Sequence, residues 1–388
     1  MPADSGTGSG PAGRADGRAR PTVELHRHFE AGLRPDTIAR LAQRHGVTEV
    51  RTRKGVVVPR ADPQDPASIR QYYRGIAEGF GRPDGFSRFA DSFGLPLSVL
   101  RSIEDLEEAV FDQLVACAAG GSLHTELRGS PYTYQEQIAA SVEEIAAALV
   151  RGVDRAWTER AVSGTFVLAF SRQKGLPGPG VVPEGGQARR IAELAARLHQ
   201  DDRPVGLDIA GFPEVPYPPS RFADAIGPAR EAGVPLTVHS GEQGRWPDFA
   251  DAPPSLIVEA VECLGARRIG HGTSLAASQT ARNCVRDHGV AVECCPVSNA
   301  LMGFVPVAAH PLPIFLEEGL LVSLSTDDPL MFGPFTVAEA FDAIAGLLRL
   351  DSSALLTLTR NGIESAFVTD ARRTLLRERL ANQIRINH

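Results

Sequence analysis

The chain has 388 residues, 43% hydrophobic and 22% charged, with a net charge of −7 and a pI of about 5.8. That balance describes a soluble globular protein with enough apolar material for a large core. It argues against nucleic acid as the main partner, and no apolar run approaches a membrane span. The five cysteines are odd in number and form no C-x-x-C pair, which favours a reducing, cytoplasmic compartment over a disulfide framework.

Residues 1–20, MPADSGTGSGPAGRADGRAR, lack the apolar region of a secretory signal and read as a disordered tail. Nothing after them reads as a linker or an internal repeat, so 21–388 is expected to form a single domain. Short β-rich runs then recur, each closing on polar residues: 22–28, 122–128, 165–171, 204–211, 235–241, 267–272, 290–296 and 320–328. Between most of them the apolar residues fall at helical spacing. GGQARRIAELAARLHQ, SRFADAIGPAREAG, SLIVEAVECLGA and SQTARNCVRDHG are each expected to be one helix. Strand, helix, strand repeated eight times predicts an α/β fold, a closed (β/α)₈ TIM barrel of parallel strands.

Two features decorate that barrel. The excursion from His28 to Ser122 is too long for one crossover and must fold into several helices. Within it Arg51, Arg53 and Lys54 read as a solvated loop. Phe86, Phe89 and Phe93 repeat at helical spacing, which suggests core packing, with a lid over a cavity as the alternative. The run from TVAEAFDAIAGLLRL to RRTLLRERL reads as terminal helices.

The polar residues at the strand ends carry the chemistry. His26 and His28 are two apart on one strand, so both side chains face the same way. His239 and Glu242 close the fifth run, His271 the sixth, and Asp327 and Asp328 the eighth. A barrel of this kind gathers such ends at one mouth. Three imidazoles and a carboxylate converging there suit zinc or a similar divalent ion. The other histidines, including His310, show no such convergence and are given surface or structural roles.

The ordered motifs ELHRHFEAGLRPDTI, ELRGSP, GLDIAG, HSGE, RIGHGTSL, ECCPVSNALMG, STDDPLMFG and TRNGIESAF resemble those of the adenosine deaminase family, in the amidohydrolase superfamily. The likeness runs from about residue 22 to about 370. It implies that His26, His28, His239 and Asp327 hold one zinc ion per chain. It implies that Glu242 faces N1 of a purine, that His271 lies beside the metal-bound water, and that Asp328 contacts N7. Gly211 would offer its backbone to N3, and His28 and Glu30 would also meet the substrate. Hydroxide attack at C6 places charge on the ring, which a protonated carboxyl at N1 relieves.

The chain also departs from the family. HFEAG places Glu30 where adenosine-acting members often carry Asp in HLDG. Glutamate there resembles members acting on adenine, aminofutalosine or modified adenine nucleotides. HSGE replaces the commoner HAGE, and 46–84 looks longer than usual where the family builds its substrate lid. A two-metal amidohydrolase would need a bridging lysine at the fourth strand, and Lys174 falls after the third. A non-catalytic barrel would be expected to lack a ligand or the acid, and none is missing. The H-x-E and P-C-x-x-C pattern of cytidine-type deaminases is absent. The expected function is hydrolytic deamination of a 6-aminopurine, adenosine or a 5′-altered adenosine, with free adenine as the runner-up, aminofutalosine or N6-modified AMP as further alternatives, and another mononuclear amidohydrolase activity as the second reading. The expected partner is that small molecule, with no nucleic acid and no membrane.

Overall fold

In the computed structural model, residues 20–386 are described apart from 59–60, 81, 83, 177–185, 201–202 and 243–250. The tail expected over 1–20 lies outside them, save Arg20. All eight expected strands form: β1 (Thr22–His28), β2 (Ser122–Gly129), β3 (Ser163–Ser171), β4 (Val205–Ala210), β5 (Leu236–Ser240), β6 (Arg268–His271), β7 (Ala291–Cys294) and β8 (Leu321–Leu324). They pair in parallel in chain order, β1 through β8. The two edges meet where His28 N–H donates to the Asp327 carbonyl and Asp327 N–H to the His26 carbonyl, both at 3.0 Å. The fold is a (β/α)₈ barrel.

Parallel neighbours require long crossovers, and helices supply most of them. Ile103–Ala119 and Val142–Arg160 open on capping boxes, Ser102 with Asp105 and Ser141 with Glu144, which satisfy N–H groups that a helix start leaves unpaired. SRFADAIGPAREAG does not form the single helix expected. It breaks into a 3₁₀ turn, Pro219–Phe222, and a short helix, Gly227–Glu231. Pro228 lacks the N–H a continuing helix would use and disfavours helical backbone at the residue before it.

The barrel interior is ionic as well as apolar. Arg128 bonds Asp208 (3.2 Å) and Glu293 (2.8 Å); Arg268 bonds Glu293 (2.6 Å) and Glu126 (2.5 Å), and all five side chains are buried. At the lower end the Ser365–Phe367 segment plugs the barrel. Phe367 N–H donates to Glu126 Oε1 (2.6 Å), Arg268 Nη1 to the Ser365 carbonyl (2.8 Å), and the Phe367 ring covers the Arg268 guanidinium. Buried charges are costly unless paired and hydrogen-bonded. Here pairing runs continuously from the plug to Glu293, whose other oxygen holds His26.

Between β1 and β2 the chain forms the expected set of helices: Pro35–Arg44, Pro66–Ala77, Gly85–Ser92, Gly94–Val99 and Ile103–Ala119. Three helices, Val337–Leu348, Ser352–Ser365 and Asp370–Ile386, follow β8.

Candidate active site

The strand ends converge as barrel geometry requires. The His26 ring lies 5.5 Å from that of His28, 4.6 Å from His239 and 4.8 Å from His271, centroid to centroid. Asp327 Oδ1 is 3.2 Å from His26 Nε2 and 3.4 Å from His28 Nε2. His28 Nε2 is 3.2 Å from His239 Nε2. His271 and Asp327 both hold left-handed backbone, φ 62° and 64°, which side-chain-bearing residues seldom adopt. Such conformations cost roughly 1–3 kcal/mol and concentrate at functional sites.

Hydrogen bonding behind the rings fixes what they present. Glu293 lies between two arginines that hold its carboxyl well below the usual range, so it accepts from His26 Nδ1 at 2.7 Å. Asp208 accepts from His239 Nδ1 at 3.1 Å. With their protons on Nδ1, both histidines turn Nε2 lone pairs to the centre. His26 Nε2 and Asp327 Oδ1 lie 3.2 Å apart, both buried and without a hydrogen-bond partner among the described residues. Two acceptors facing each other need a cation between them. Burial and Arg128 press the His26 pKa down, yet Asp327 and Glu293 together carry it above its ordinary value. The same field that attracts a proton attracts a divalent ion. The donor set therefore fits a metal held by His26, His28, His239 and Asp327.

The remaining expected residues surround that centre. Glu242 is buried, and burial together with Asp327 and Glu214 raises its pKa well above the ordinary value, which favours the protonated carboxyl. Burial, Asp327, Glu30 and Glu242 raise the pKa of Asp328 likewise, and its buried Oδ1 has no partner among the described residues. Burial lowers the His271 pKa well below normal and keeps the ring neutral. Gly211, at φ 88°, lets the backbone after β4 reach the cavity.

Glu30 is placed differently. It is buried beside the cavity, not among its lining residues, and its Oε2 accepts from Tyr134 Oη at 2.8 Å. Burial raises its pKa against the opposing effects of Tyr134 and Arg53.

These groups open into a cavity of about 370 Å³ lined by His28, His239, Glu242, His271, Asp327 and Asp328, with Phe86, Phe89, Phe93, Phe212 and Phe304 in its walls. Phe86, Phe89 and Phe93 are half-buried: they pack against the core, as expected, and they also line the cavity, as the lid alternative required. Arg51, Arg53 and Lys54 are exposed at a turn, as expected of a solvated loop, and Arg53 also lines the cavity. A larger groove of about 560 Å³ lies at the opposite end of the barrel, beside Trp157 and Phe367, and none of the four clustered histidines lines it. The chain's only lysines lie away from the centre: Lys174 pairs with Glu136 (3.5 Å) and Lys54 with Asp91 (3.3 Å).

Several contributing residues escaped sequence reasoning. Glu214 accepts from the backbone N–H groups of Gly241 (3.0 Å) and Glu242 (3.1 Å). Ser298 Oγ donates to Asp327 Oδ2 at 2.7 Å, and Arg172 donates to the His239 carbonyl. Asn299 Nδ2 lies 3.2 Å from both Glu242 Oε1 and His271 Nδ1. Asp208 and Glu293 had a signal, a charge inside an otherwise buried strand. Asn299 had none, because Glu242 and His271 lie 57 and 28 residues away from it.

The adenosine deaminase family model matches residues 21–383. The chain belongs to the adenosine deaminase family. This family member is 29% identical to an adenine deaminase of Rhodospirillum rubrum, over 94% of its own length and 96% of the relative's. It is 27% identical to an adenosine deaminase of Shewanella denitrificans, over 92% and 97%. The adenine deaminase structure from Arthrobacter aurescens superposes with a TM-score of 0.75 at 27% identity, covering 95% of this chain and all of that one. The protein is a hydrolytic deaminase of a metal-dependent family. Among the described residues, no helix is long and apolar enough to cross a membrane.

Proposed function

We propose that the protein hydrolyses the C6–N6 bond of a 6-aminopurine nucleoside or a 5′-altered derivative, leaving the 6-oxo purine and ammonia. The observation that carries this reading is Glu242, a buried carboxyl whose surroundings raise its pKa, on the same rim as a cluster of inward-facing ligand lone pairs. His26, His28, His239 and Asp327 would hold one zinc ion, which supplies Lewis acidity and a water more acidic than bulk water.

The chain's own groups do the rest. A 6-aminopurine presents lone pairs at N1 and N7, so the carboxyls facing them must donate. Protonated Glu242 suits N1 and protonated Asp328 suits N7. Glu242 delivers its proton to N1 as oxygen attacks C6, so negative charge does not build up on the ring. Neutral His271 accepts from Asn299 at Nδ1, which leaves an Nε2–H to hold the attacking oxygen. In the net reaction one hydrogen of water ends on ammonia and the other on N1, and Glu242 recovers its proton. The phenylalanine walls exclude water around the ring.

Free adenine is the second reading, supported by Glu30 and by the adenine deaminases among the relatives. Ammonia release and loss of adenine absorbance across adenosine, 5′-modified adenosines and adenine would decide between them. Turnover of the nucleosides above adenine is expected. Turnover of adenine alone would favour the second reading, and no turnover of any would reject both.

A further inference from the structure

Three cations stand together at residues 51–54, and two of them are neutralised locally. Arg51 pairs with Glu49 at 2.5 Å; Lys54 bonds Ser87 Oγ at 2.8 Å and Asp91 at 3.3 Å. The Arg53 side chain makes no hydrogen bond or ion pair among the described residues, and it lines the cavity that holds Glu242, Asp327 and Asp328. Its backbone is fixed. Arg53 N–H donates to the Asp91 carbonyl at 3.1 Å. Gly94 packs so closely that a Cβ there would lie 2.7 Å from Arg53 N and closer still to the Arg51 carbonyl. The loop is thus pressed against the start of the Gly94–Val99 helix, and the guanidinium is presented by a held backbone.

The buried acid that feels this charge offers no contact pairing. Glu30 feels the Arg53 charge, yet its carboxyl is engaged by Tyr134 and buried behind the cavity wall. Within the cavity the acids cluster on the metal side and aromatic rings form the walls. Arg53 is exposed, so it marks the open end. A cation without a partner on a ligand cavity's wall is a counter-charge for something the ligand brings, and a guanidinium suits planar bidentate pairing with a carboxylate or phosphate.

We infer that Arg53 forms an anion subsite, and that the substrate is a 6-aminopurine carrying a carboxylate or phosphate at the end remote from the 6-amino group. This rests on the deaminase reading for the identity of the ring, but the subsite can be tested by binding alone. Calorimetry on the zinc-loaded protein would compare inosine, inosine 5′-monophosphate and inosine 5′-carboxylic acid, each with the parent chain and with Arg53→Gln. At least one anionic ligand is expected to bind tenfold or more tighter than inosine, with the ratio falling towards one in Arg53→Gln. The tighter of the two anions identifies the group. Equal binding of all three ligands, or an advantage that survives in Arg53→Gln, would overturn the subsite. Ammonia release from adenosine and its 5′-phosphate, measured in parallel, judges the deaminase reading separately. An Arg53-dependent binding ratio without any turnover would reject that reading and keep the subsite.

Discussion

Carboxyl groups at the barrel mouth are sorted by their surroundings into two groups. Histidines and arginines lower the pKa values of Asp327 and Glu293, while burial, with the Asp327 charge next, raises those of Glu242 and Asp328. A chain of hydrogen bonds orients the acid. Leu312 N–H can only donate, so His310 Nδ1 accepts from it (3.2 Å). Burial lowers the His310 pKa to about 3, so its single proton lies on Nε2 and is given to Asn299 Oδ1 (3.3 Å). That fixes the Asn299 amide, and its NH₂ must face Glu242 and His271. The expected outcome for His310→Leu is a kcat loss of about 10- to 100-fold with metal content retained, the range seen when supporting groups are removed. His310→Gln, which keeps an N–H donor, should recover most of it. The pH profile separates orientation from simple damage. Activity requires protonated Glu242 and falls as pH rises through its raised pKa. Asn299 donation favours the ionised form, so loosening Asn299 should move that alkaline limb upward. An unmoved limb with a uniform loss of rate would mean that His310 only packs.

The strands were legible because parallel barrel strands end on the residues they present, and the paired histidines of β1 betray a shared face. Their ends were less so. The eighth run was expected through Asp328, but β8 stops at Leu324. Asp327 leaves the ladder in left-handed backbone to reach the histidines, a conformation that residue type does not announce. The phenylalanine stripe on Gly85–Ser92 gave the right periodicity, but periodicity cannot tell a core from a cavity wall. β6 shows why a small residue matters beside the centre. A Cβ at Gly270 would stand 2.9 Å from His26 Cε1 and 3.3 Å from the His239 backbone. Because Glu293 also pins His26, the ring cannot move without losing its lone-pair direction. Gly270→Ala is expected to weaken metal affinity by about 10- to 100-fold, read by competition with a chelator, while circular dichroism stays that of the parent. Unchanged affinity would show that the ring has room to yield.

At the scale of the molecule, the recurring strand runs disclosed the barrel and the family motifs pointed to candidate ligands, and the structure adds how those residues are held. Paired charges run from the Phe367 plug through Glu126, Arg268 and Glu293 to His26. No short motif encodes that column, because each link joins strands far apart in sequence. It ties the position of one histidine to both ends of the barrel. The central claim is a division of labour on one rim: three histidines and Asp327 bind a single ion, and Glu242 supplies the proton. Metal content and kcat measured together on the parent chain, His239→Ala and Glu242→Gln test it directly. The parent should carry about one zinc ion per chain, and His239→Ala should lose both metal and activity. Glu242→Gln should keep the metal and lose about 10² to 10⁴ in kcat. Two ions per active chain, or a Glu242→Gln variant within a few-fold of the parent at full metal content, would contradict it.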